Sequence, residues 1–277
     1  GFSEIFTNSI TNSTYYTEQD HLVKMINSLS ANLDTMRPSM LETGLEPIAY
    51  NFNRKNSEIH FFEFGKVYSR FNEKFVESEV LALYISGHYD GVYWNQKQKP
   101  LDMYYLKGII DEMFSGMKLQ FMVAEQQIQI LFQKKAIGHI CKVSAEKMKQ
   151  FGIKQEVYYA ELNWGDFKKY AETQKIRYVE VPKFPAVERD LAMVIDQGIQ
   201  YQDVQKNIRQ LQSKLLQNIN IFDVFESDKL GKGKKSYAIS LSFSDAEKTL
   251  TDVEVETEMS KIIKSLEEKL GAIIRGN

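Results

Sequence analysis

Three side chains near the C-terminal end of the chain, Asp223, Phe225 and Ser236, are of types that could bind an unpaired nucleic-acid base. An exposed aromatic ring can stack on a base, a carboxylate can accept a hydrogen bond from an exocyclic amine or ring N–H, and a hydroxyl can refine the orientation. The same surface could instead pack against another domain or subunit, and Phe225 would then be an ordinary buried side chain. Both interpretations need the three side chains to share one face of a sheet.

The strand pattern predicts such a shared face. Large apolar residues alternate with small, mostly polar ones over residues 237–243, which is the pattern of a half-buried strand. In the strand predicted before it, over residues 220–226, Phe222 and Val224 suit the core. The three candidate side chains then lie on the opposite, open face of the sheet.

Residues 183–277 as a whole have the element order β-α-β-β-α-β, which predicts a ferredoxin-like sandwich of one sheet and two helices. A capping box formed by Thr251 and Glu254 begins the second helix, and Gly271 ends it. The predicted elements are a strand at 191–196, a helical stripe at 201–215, strands at 220–226 and 237–243 joined by a hairpin rich in glycine and lysine, a helical stripe at 255–270 and a strand at 272–275.

Charged residues near the predicted open face are further candidates. The lysines of the hairpin could contact phosphates, although a solvated loop is the commoner role of such a cluster. A charged triplet at the start of the first strand could form ion pairs or a polar edge of the binding face. These residues are Lys229, Lys232, Lys234 and Lys235 in the hairpin, and Glu188, Arg189 and Asp190 in the triplet.

Residues 1–181 predict a different kind of domain. Short strands joined by tight turns or single helices favour an antiparallel sheet with flanking helices over a doubly wound parallel sheet. We place the domain boundary between residues 181 and 182, in an extended joint bracketed by Pro182 and Pro185. The predicted helices are 17–33, 42–53, 104–114 and a short one capped by Ser144, and the predicted strands are 80–86, 127–132, 136–143, 157–162 and 59–68, which is apolar on both faces and is expected to be central.

Composition narrows the classes of function. The net charge of −2 excludes a broad basic field, so nucleic-acid binding would use local patches. No apolar run approaches the roughly 20 residues that span a bilayer. The single cysteine, Cys141, fits a reducing cytosol and, within its apolar run, a buried hydrophobic role. The scattered histidines lack metal-ligand spacing, and Glu63 is expected to be paired structurally rather than catalytic. Because the chain starts directly in apolar sequence, we expect a fragment of a longer protein.

A series of motifs runs in order along nearly the whole chain. They are 36–41 (MRPSML), 53–56 (NRKN), 62–68 (FEFGKVY), Trp94, Asp102, 106–108 (LKG), 137–138 (IG) and 157–162 (VYYAEL) in the first domain, and 183–185 (KFP), 189–191 (RDL), 222–225 (FDVF), 233–236 (GKKS) and 249–252 (TLTD) in the second. In this order they resemble the synthetase-like core and the anticodon-binding domain of the bacterial phenylalanyl-tRNA synthetase beta chain.

The resemblance implies an α+β fold in two parts. Residues 1–181 would be a class II synthetase-like antiparallel sheet with flanking helices that has lost catalysis, and residues 182–277 a ferredoxin-fold anticodon-binding domain. Class II enzymes bring an Arg-x-Glu pair on a strand to ATP. Here no arginine stands two residues before Glu63, which agrees with a silent core.

The resemblance also implies partners and ligands. In the family an alpha chain makes the adenylate and charges tRNA-Phe, and two alpha and two beta chains assemble in the cytoplasm. The holoenzyme would then be a phenylalanine–tRNA ligase that uses ATP and magnesium. This chain would carry no cofactor, metal site or catalytic residue of its own, and would have no membrane or DNA partner. The expected contacts to the anticodon are Asp223, Phe225 and Ser236, with Arg189, Lys234 and Lys235 as further RNA contacts.

Two other hypotheses remain open. The chain could be a structural scaffold whose open sheet face is a protein interface. It could also be a free-standing amino-acid-binding enzyme, which would catalyse ATP–pyrophosphate exchange by itself. We expect that exchange to be absent.

Overall fold

A computed structural model describes residues 1–28, 30–89, 98–117, 119–124, 126–173, 178, 183–227 and 230–275 of the chain. The chain divides into two compact units, Gly1–Lys175 and Ile176–Asn277. The expected boundary at residues 181 and 182, including Pro182, lies outside the described residues, as do Trp94 and Lys229.

The first unit is a mixed α and β structure. Its strands are β1 Ser3–Glu4, β2 Ile10–Thr11, β3 Val23–Lys24, β4 Thr35–Met36, β5 Ile59–Phe71, β6 Lys74–Ser86, β7 Gln120–Val123, β8 Gln127–Phe132, β9 Lys135–Lys142 and β10 Tyr158–Asn163, and its helices are α1 Leu41–Phe52, α2 Met103–Met113, α3 Ala145–Gln150 and α4 Trp164–Thr173. The main sheet has the order β1-β5-β6-β10-β9-β8-β7. The predicted antiparallel sheet with flanking helices is confirmed, with β1–β5 the only parallel pair among the described strands.

Both faces of this sheet are covered because its inner strands are apolar on both sides. Successive residues of a strand point to opposite faces. Leu83 of β6 belongs to one core, with Leu106 and Ile110 of α2, whereas its neighbour Tyr84 belongs to the other, with Ile48 of α1. Residues that read as continuous hydrophobic runs in the sequence therefore serve two separate cores.

The helix predicted over residues 17–33 is wrong. The segment forms turns and the short strand β3, which pairs with β4 beside β2 in a small antiparallel sheet. Leu22 is buried, as the apolar stripe requires, but Ile26 is 97% exposed. Polar side chains such as Asn27 and Asn32 compete with helical backbone hydrogen bonds. Pairing with β4 supplies the backbone hydrogen bonds that a helix would otherwise have made.

The strand predicted as central, β5, lies next to the edge of the sheet. Beyond its short contact with β1, its outer backbone is satisfied by loops. Tyr68 donates its N–H to the carbonyl oxygen of Arg37 at 2.9 Å, and Arg70 donates to that of His21 at 2.9 Å. The outer backbone edge of β5 is thus paired with irregular chain. Hydrophobic patterning could not distinguish such pairing from a neighbouring strand.

The second unit is an antiparallel sheet backed by two helices. Its elements are β11 Val187–Asp196, α5 Tyr201–Arg209, β12 Leu216–Glu226, β13 Lys234–Phe243, α6 Asp252–Leu270 and β14 Ile273–Arg275, with strand order β12-β13-β11-β14. The predicted β-α-β-β-α-β sandwich is confirmed. The capping box of Thr251 and Glu254 begins α6, and Gly271 ends it in the left-handed conformation at φ 61°. Among the described helices, none is long and apolar enough to span a membrane.

Candidate nucleic-acid interface

The face of the second sheet that points away from the helices is set by the register of β12, β13 and β11. Tyr237, Ile239, Leu241 and Phe243 of β13 are buried in the helix-side core, as predicted. Directly opposed residues of antiparallel strands lie on the same side of the sheet. The intervening residues of β13 and their partners therefore form the open face.

A bulge in β12 places the candidate side chains on this open face. Before the bulge, Ile221 pairs with Ile239 and so belongs to the core side. After one extra residue, Asp223 pairs with Ala238 and Phe225 with Ser236. Without the extra residue, strict alternation would have turned Asp223 and Phe225 toward the helices. The predicted grouping of these two residues with Ser236 is confirmed.

The prediction that Phe222 lies in the core is wrong. Phe222 is the extra residue of the bulge, and its side chain is 57% exposed. Val224 pairs with the core residue Tyr237 but lies at the end of the strand and is also more than half exposed. The apolar side chains that β12 gives to the core are instead Leu216, Ile219 and Ile221, all upstream of the bulge at Phe222. A bulge leaves no pattern in hydrophobicity, so the sequence did not reveal it.

The side chains of the candidate site differ in exposure, and the polar ones have no hydrogen-bond partner among the described residues. Phe225 is 51% exposed, whereas Ser236 on the neighbouring strand is only 9% exposed. Among the described residues, neither Asp223 nor Ser236 has a side-chain hydrogen bond or an ion pair. An aromatic ring, a carboxylate and a hydroxyl therefore share one surface. These are the groups needed to stack on a base and to form hydrogen bonds with its edge.

The structure separates the basic candidates from this group. Arg189 pairs with the core residue Leu241, and its guanidinium binds Asp252 at 2.8 Å and Glu256 at 3.3 Å at the start of α6. It therefore lies on the helix side of the sheet, and it is not part of the open face. The sequence left open an ion-pair role for Arg189, and the structure shows that role.

The hairpin lysines are also divided. Lys234 has the register of the open face, where it binds Asp196 at 2.6 Å. Lys235 has the opposite register and is buried, with its ammonium 4.9 Å from the centre of the Tyr237 ring. Lys232 is exposed in the loop. The strand alternation thus distributes the predicted lysine cluster over both sides of the sheet.

In the first unit, the carboxylate that could have been catalytic is committed to a buried ion pair. Glu63 and Arg37 are 1% and 2% exposed, and their side chains meet at 3.0 Å. Thr7 donates to Glu63 through its N–H at 3.2 Å and its hydroxyl at 2.8 Å. Arg37 also donates through Nε to the carbonyl oxygen of Lys66 at 2.9 Å. The structural pairing expected for Glu63 is confirmed.

The loop that carries Arg37 is held from several sides. The N–H of Met40 donates to Glu161 at 3.0 Å, and the hydroxyl of Tyr84 donates to the Met40 carbonyl oxygen at 2.5 Å. A Cβ atom on Gly65 would lie 2.3 Å from Nη2 of Arg37. The motifs around residues 36–41 and 62–68 thus meet in space, where they close the core around the ion pair.

Two further observations bear on nucleophilic and metal chemistry in the first unit. Burial, followed by the charge of Glu161, raises the pKa of the Cys141 thiol to about 11, so the reactive thiolate is disfavoured. No group of three or more His, Cys, Asp or Glu side chains that could hold a metal ion occurs in the part of the chain that the structure describes.

Comparison with known proteins is consistent with this arrangement. The family model of the phenylalanyl tRNA synthetase beta chain CLM domain matches residues 1–164, and that of the ferredoxin-fold anticodon binding domain matches residues 182–275. The phenylalanine–tRNA ligase beta subunit of Bacteroides fragilis is 36% identical over 99% of this chain and 37% of its own length. That of Bacillus subtilis is 30% identical over 100% of this chain and 36% of its own.

The chain thus spans little more than a third of the length of these curated relatives. The match nevertheless runs through both units, from the buried Arg37–Glu63 core to the strand that ends at Arg275. On these grounds the chain belongs to the phenylalanyl-tRNA synthetase beta chain family.

Proposed function

We propose that residues 182–277 recognise the anticodon of tRNA-Phe and that residues 1–181 dock a catalytic alpha chain. Together they would support the ATP-dependent charging of tRNA with phenylalanine in the cytoplasm. The observation that carries the proposal is the open face of the second unit, where the bulge at Phe222 brings Asp223, Phe225 and Ser236 together. Within the described part of the chain, the side chains of Asp223 and Ser236 form no hydrogen bond or ion pair. Stacking on Phe225 would supply affinity, and the two polar side chains would supply base preference.

The first unit supports a docking role rather than a catalytic one. A class II core would need a free acidic group on the β5 strand to help hold ATP. Here Glu63 is buried, and its oxygens are taken by Arg37 and Thr7. The engagement of Glu63 supports a core that does not bind ATP. We assign ATP, magnesium and adenylate formation to the alpha chain, and we expect no ATP–pyrophosphate exchange by this chain alone.

The test is tRNA-Phe binding by the full-length protein, assembled with its alpha chain, carrying Phe225→Ala. Loss of one base stack should weaken binding by roughly 1–3 kcal/mol, or about 5- to 150-fold in Kd. The control is Val253→Ala, which removes an exposed apolar side chain from α6 on the far side of the sheet. Unchanged affinity and unchanged anticodon preference in Phe225→Ala would refute the assignment of this face.

A second candidate is a structural scaffold in which the open face and its edge strand bind protein. Phe222, Val224 and Phe225 are all more than half exposed along β12, the edge strand of the sheet. Such a row of apolar side chains suits an interface as well as a base stack. Footprinting of the anticodon with and without residues 182–277 separates the two, because only the RNA-binding role predicts protection that depends on this unit.

A further inference from the structure

Two buried hydroxyl groups in the first unit lack a hydrogen-bond partner. Thr11 of β2 is 2% exposed, and Tyr16 follows the 3-10 turn Ser13–Tyr15 in the same segment. Both side-chain oxygens are shielded from solvent, and within the described part of the chain neither forms a hydrogen bond. Leaving a buried polar group unpaired costs free energy, so such groups normally have a partner in the protein or in bound water.

The two hydroxyls lie close together. Burial, followed by the charge of Glu42, raises the pKa of the Tyr16 phenol well above its ordinary value, and the Thr11 hydroxyl partly opposes this shift. Thr11 therefore lies within reach of the phenol oxygen, and Glu42 is the carboxylate whose charge acts on it most strongly. The hydroxyls of Thr11 and Tyr16 nevertheless do not bond to each other. A single small molecule beside them can then bond to both oxygens.

Glu42, in the first turn of α1, can provide a third contact to such a molecule. It is 4% exposed, and its carboxylate binds the ammonium of Lys147 at 2.8 Å and accepts a hydrogen bond from the Ser39 hydroxyl at 2.6 Å. The same ammonium lies 5.4 Å from the centre of the Tyr16 ring, so one lysine contacts both the carboxylate and the phenol. A carboxylate can accept about four hydrogen bonds, and Glu42 therefore retains capacity for another donor.

The chemistry of these groups favours water over an ion. Lys147 already balances the charge of Glu42, so a cation would gain little there, and an anion would be repelled by the carboxylate. Water has two donors and two acceptors, and a buried water molecule typically forms about three hydrogen bonds with polar groups of the protein. Two hydroxyls and one carboxylate oxygen supply that number.

We propose that Thr11, Tyr16 and Glu42 bind one internal water molecule. The water donates to the carboxylate and exchanges hydrogen bonds with the two hydroxyls, and it thereby links the N-terminal segment to α1. Thr7 of the same segment donates to Glu63 through its N–H and its hydroxyl, so the segment is held both at the buried ion pair and at the water site. The site belongs to the first unit, and its test does not depend on whether the second unit binds RNA.

The sign of a stability change tests the proposal. Urea unfolding of the chain is followed by tryptophan fluorescence, since both of its tryptophans belong to the first unit. Tyr16→Phe removes one hydrogen bond to the water and should raise the unfolding equilibrium constant about 2- to 13-fold. If the hydroxyl were unpaired instead, its removal would relieve a buried polar group and lower that constant.

The matched control is Tyr15→Phe, one residue earlier in the chain. The Tyr15 hydroxyl donates an exposed hydrogen bond to Glu46 at 3.0 Å. Removing a surface group of this kind should change the unfolding equilibrium constant about 2-fold or less. Thr11→Val keeps the branched shape of the side chain and should destabilise the unit, as Tyr16→Phe does. A lower unfolding constant in either Tyr16→Phe or Thr11→Val would contradict the proposal.

Crystallography of the chain, at a resolution that shows ordered water, provides the direct test. We expect one density peak within about 2.5–3.2 Å of both hydroxyl oxygens and of a carboxylate oxygen of Glu42. The peak should be absent when Tyr16→Phe and Thr11→Val are combined. A site without this peak, or a direct hydrogen bond between the two hydroxyls, would overturn the proposal.

Discussion

Removing Arg37 should destabilise the first unit far more than removing Lys66, a half-exposed lysine of β5. Arg37→Met leaves the carboxylate of Glu63, 1% exposed, without its counter-ion, and Thr7 is then its one remaining hydrogen-bond donor among the described residues. Breaking a buried pair from one side typically costs about 3–5 kcal/mol. For a unit of this size, that corresponds to a fall of about 6–20 °C in Tm.

Tryptophan fluorescence can follow this unit alone. Both tryptophans of the chain, Trp94 and Trp164, belong to the first unit, and the second unit contains none. Trp164 packs at the sheet surface against Phe64 and Phe167, so its emission should change when the core opens. Urea titrations followed at tryptophan wavelengths therefore report the stability of the first unit without interference from the second.

The matched control is Lys66→Met, which breaks the ion pair between Lys66 and Glu77, both about half exposed. Exposed pairs contribute about 0–1 kcal/mol. A second control is the double variant Arg37→Met with Glu63→Met, which removes both charges and should recover much of the loss. If Arg37→Met costs no more than Lys66→Met, the claim that the buried pair closes this core is wrong.

Two further predictions concern helices. Gly44→Ala in α1 should destabilise the first unit by about 1–3 kcal/mol, because the added Cβ would lie 2.2 Å from the ring of Tyr84. Gly108→Ala in α2 should instead stabilise the unit by about 0.5–1 kcal/mol, because its Cβ meets open space. Equal shifts of the urea midpoint in the two variants would contradict this reasoning. Lys248, followed by the N-cap of α6, lowers the pKa of Glu254 from 4.5 to about 2. Its stabilisation of the second unit is therefore present above pH 4.5 and lost as the pH falls toward 2, and Glu254→Gln should flatten the acid side of a circular-dichroism unfolding profile.

Local chemistry predicted much of the second unit. The capping box at Thr251 and Glu254, the terminal Gly271 and the alternation of β13 each depend on residues within a few positions of one another. The failure over residues 17–33 has the complementary cause. Apolar residues there recur at helical spacing, but the backbone of β3 pairs with β4. A local sequence pattern does not show that a later segment of the chain will supply a pairing strand.

The candidate site shows the same division. Its residue types, an aromatic ring beside a carboxylate and a hydroxyl, were evident in the sequence, and so was their grouping on one face. The prediction assigned Phe222 to the core, however, whereas Phe222 is the extra residue of the bulge and its side chain is 57% exposed. The grouping of Asp223 and Phe225 on the open face was therefore right, although its structural cause was not visible in the sequence.

Sequence by itself determined four features of this protein: the β-α-β-β-α-β order, the apolar face of β13, the family resemblance, and the two-domain organisation expected from the motifs. All four depend on residue type and short-range spacing. Tertiary structure decided that Arg189 and Lys235 face away from the candidate site and that Arg37 neutralises Glu63. Each of these depends on strand register or on contacts between distant segments. Strand pairing sets them through backbone hydrogen bonds, which every residue type except proline can donate, so a local pattern of side chains does not show which residues will pair.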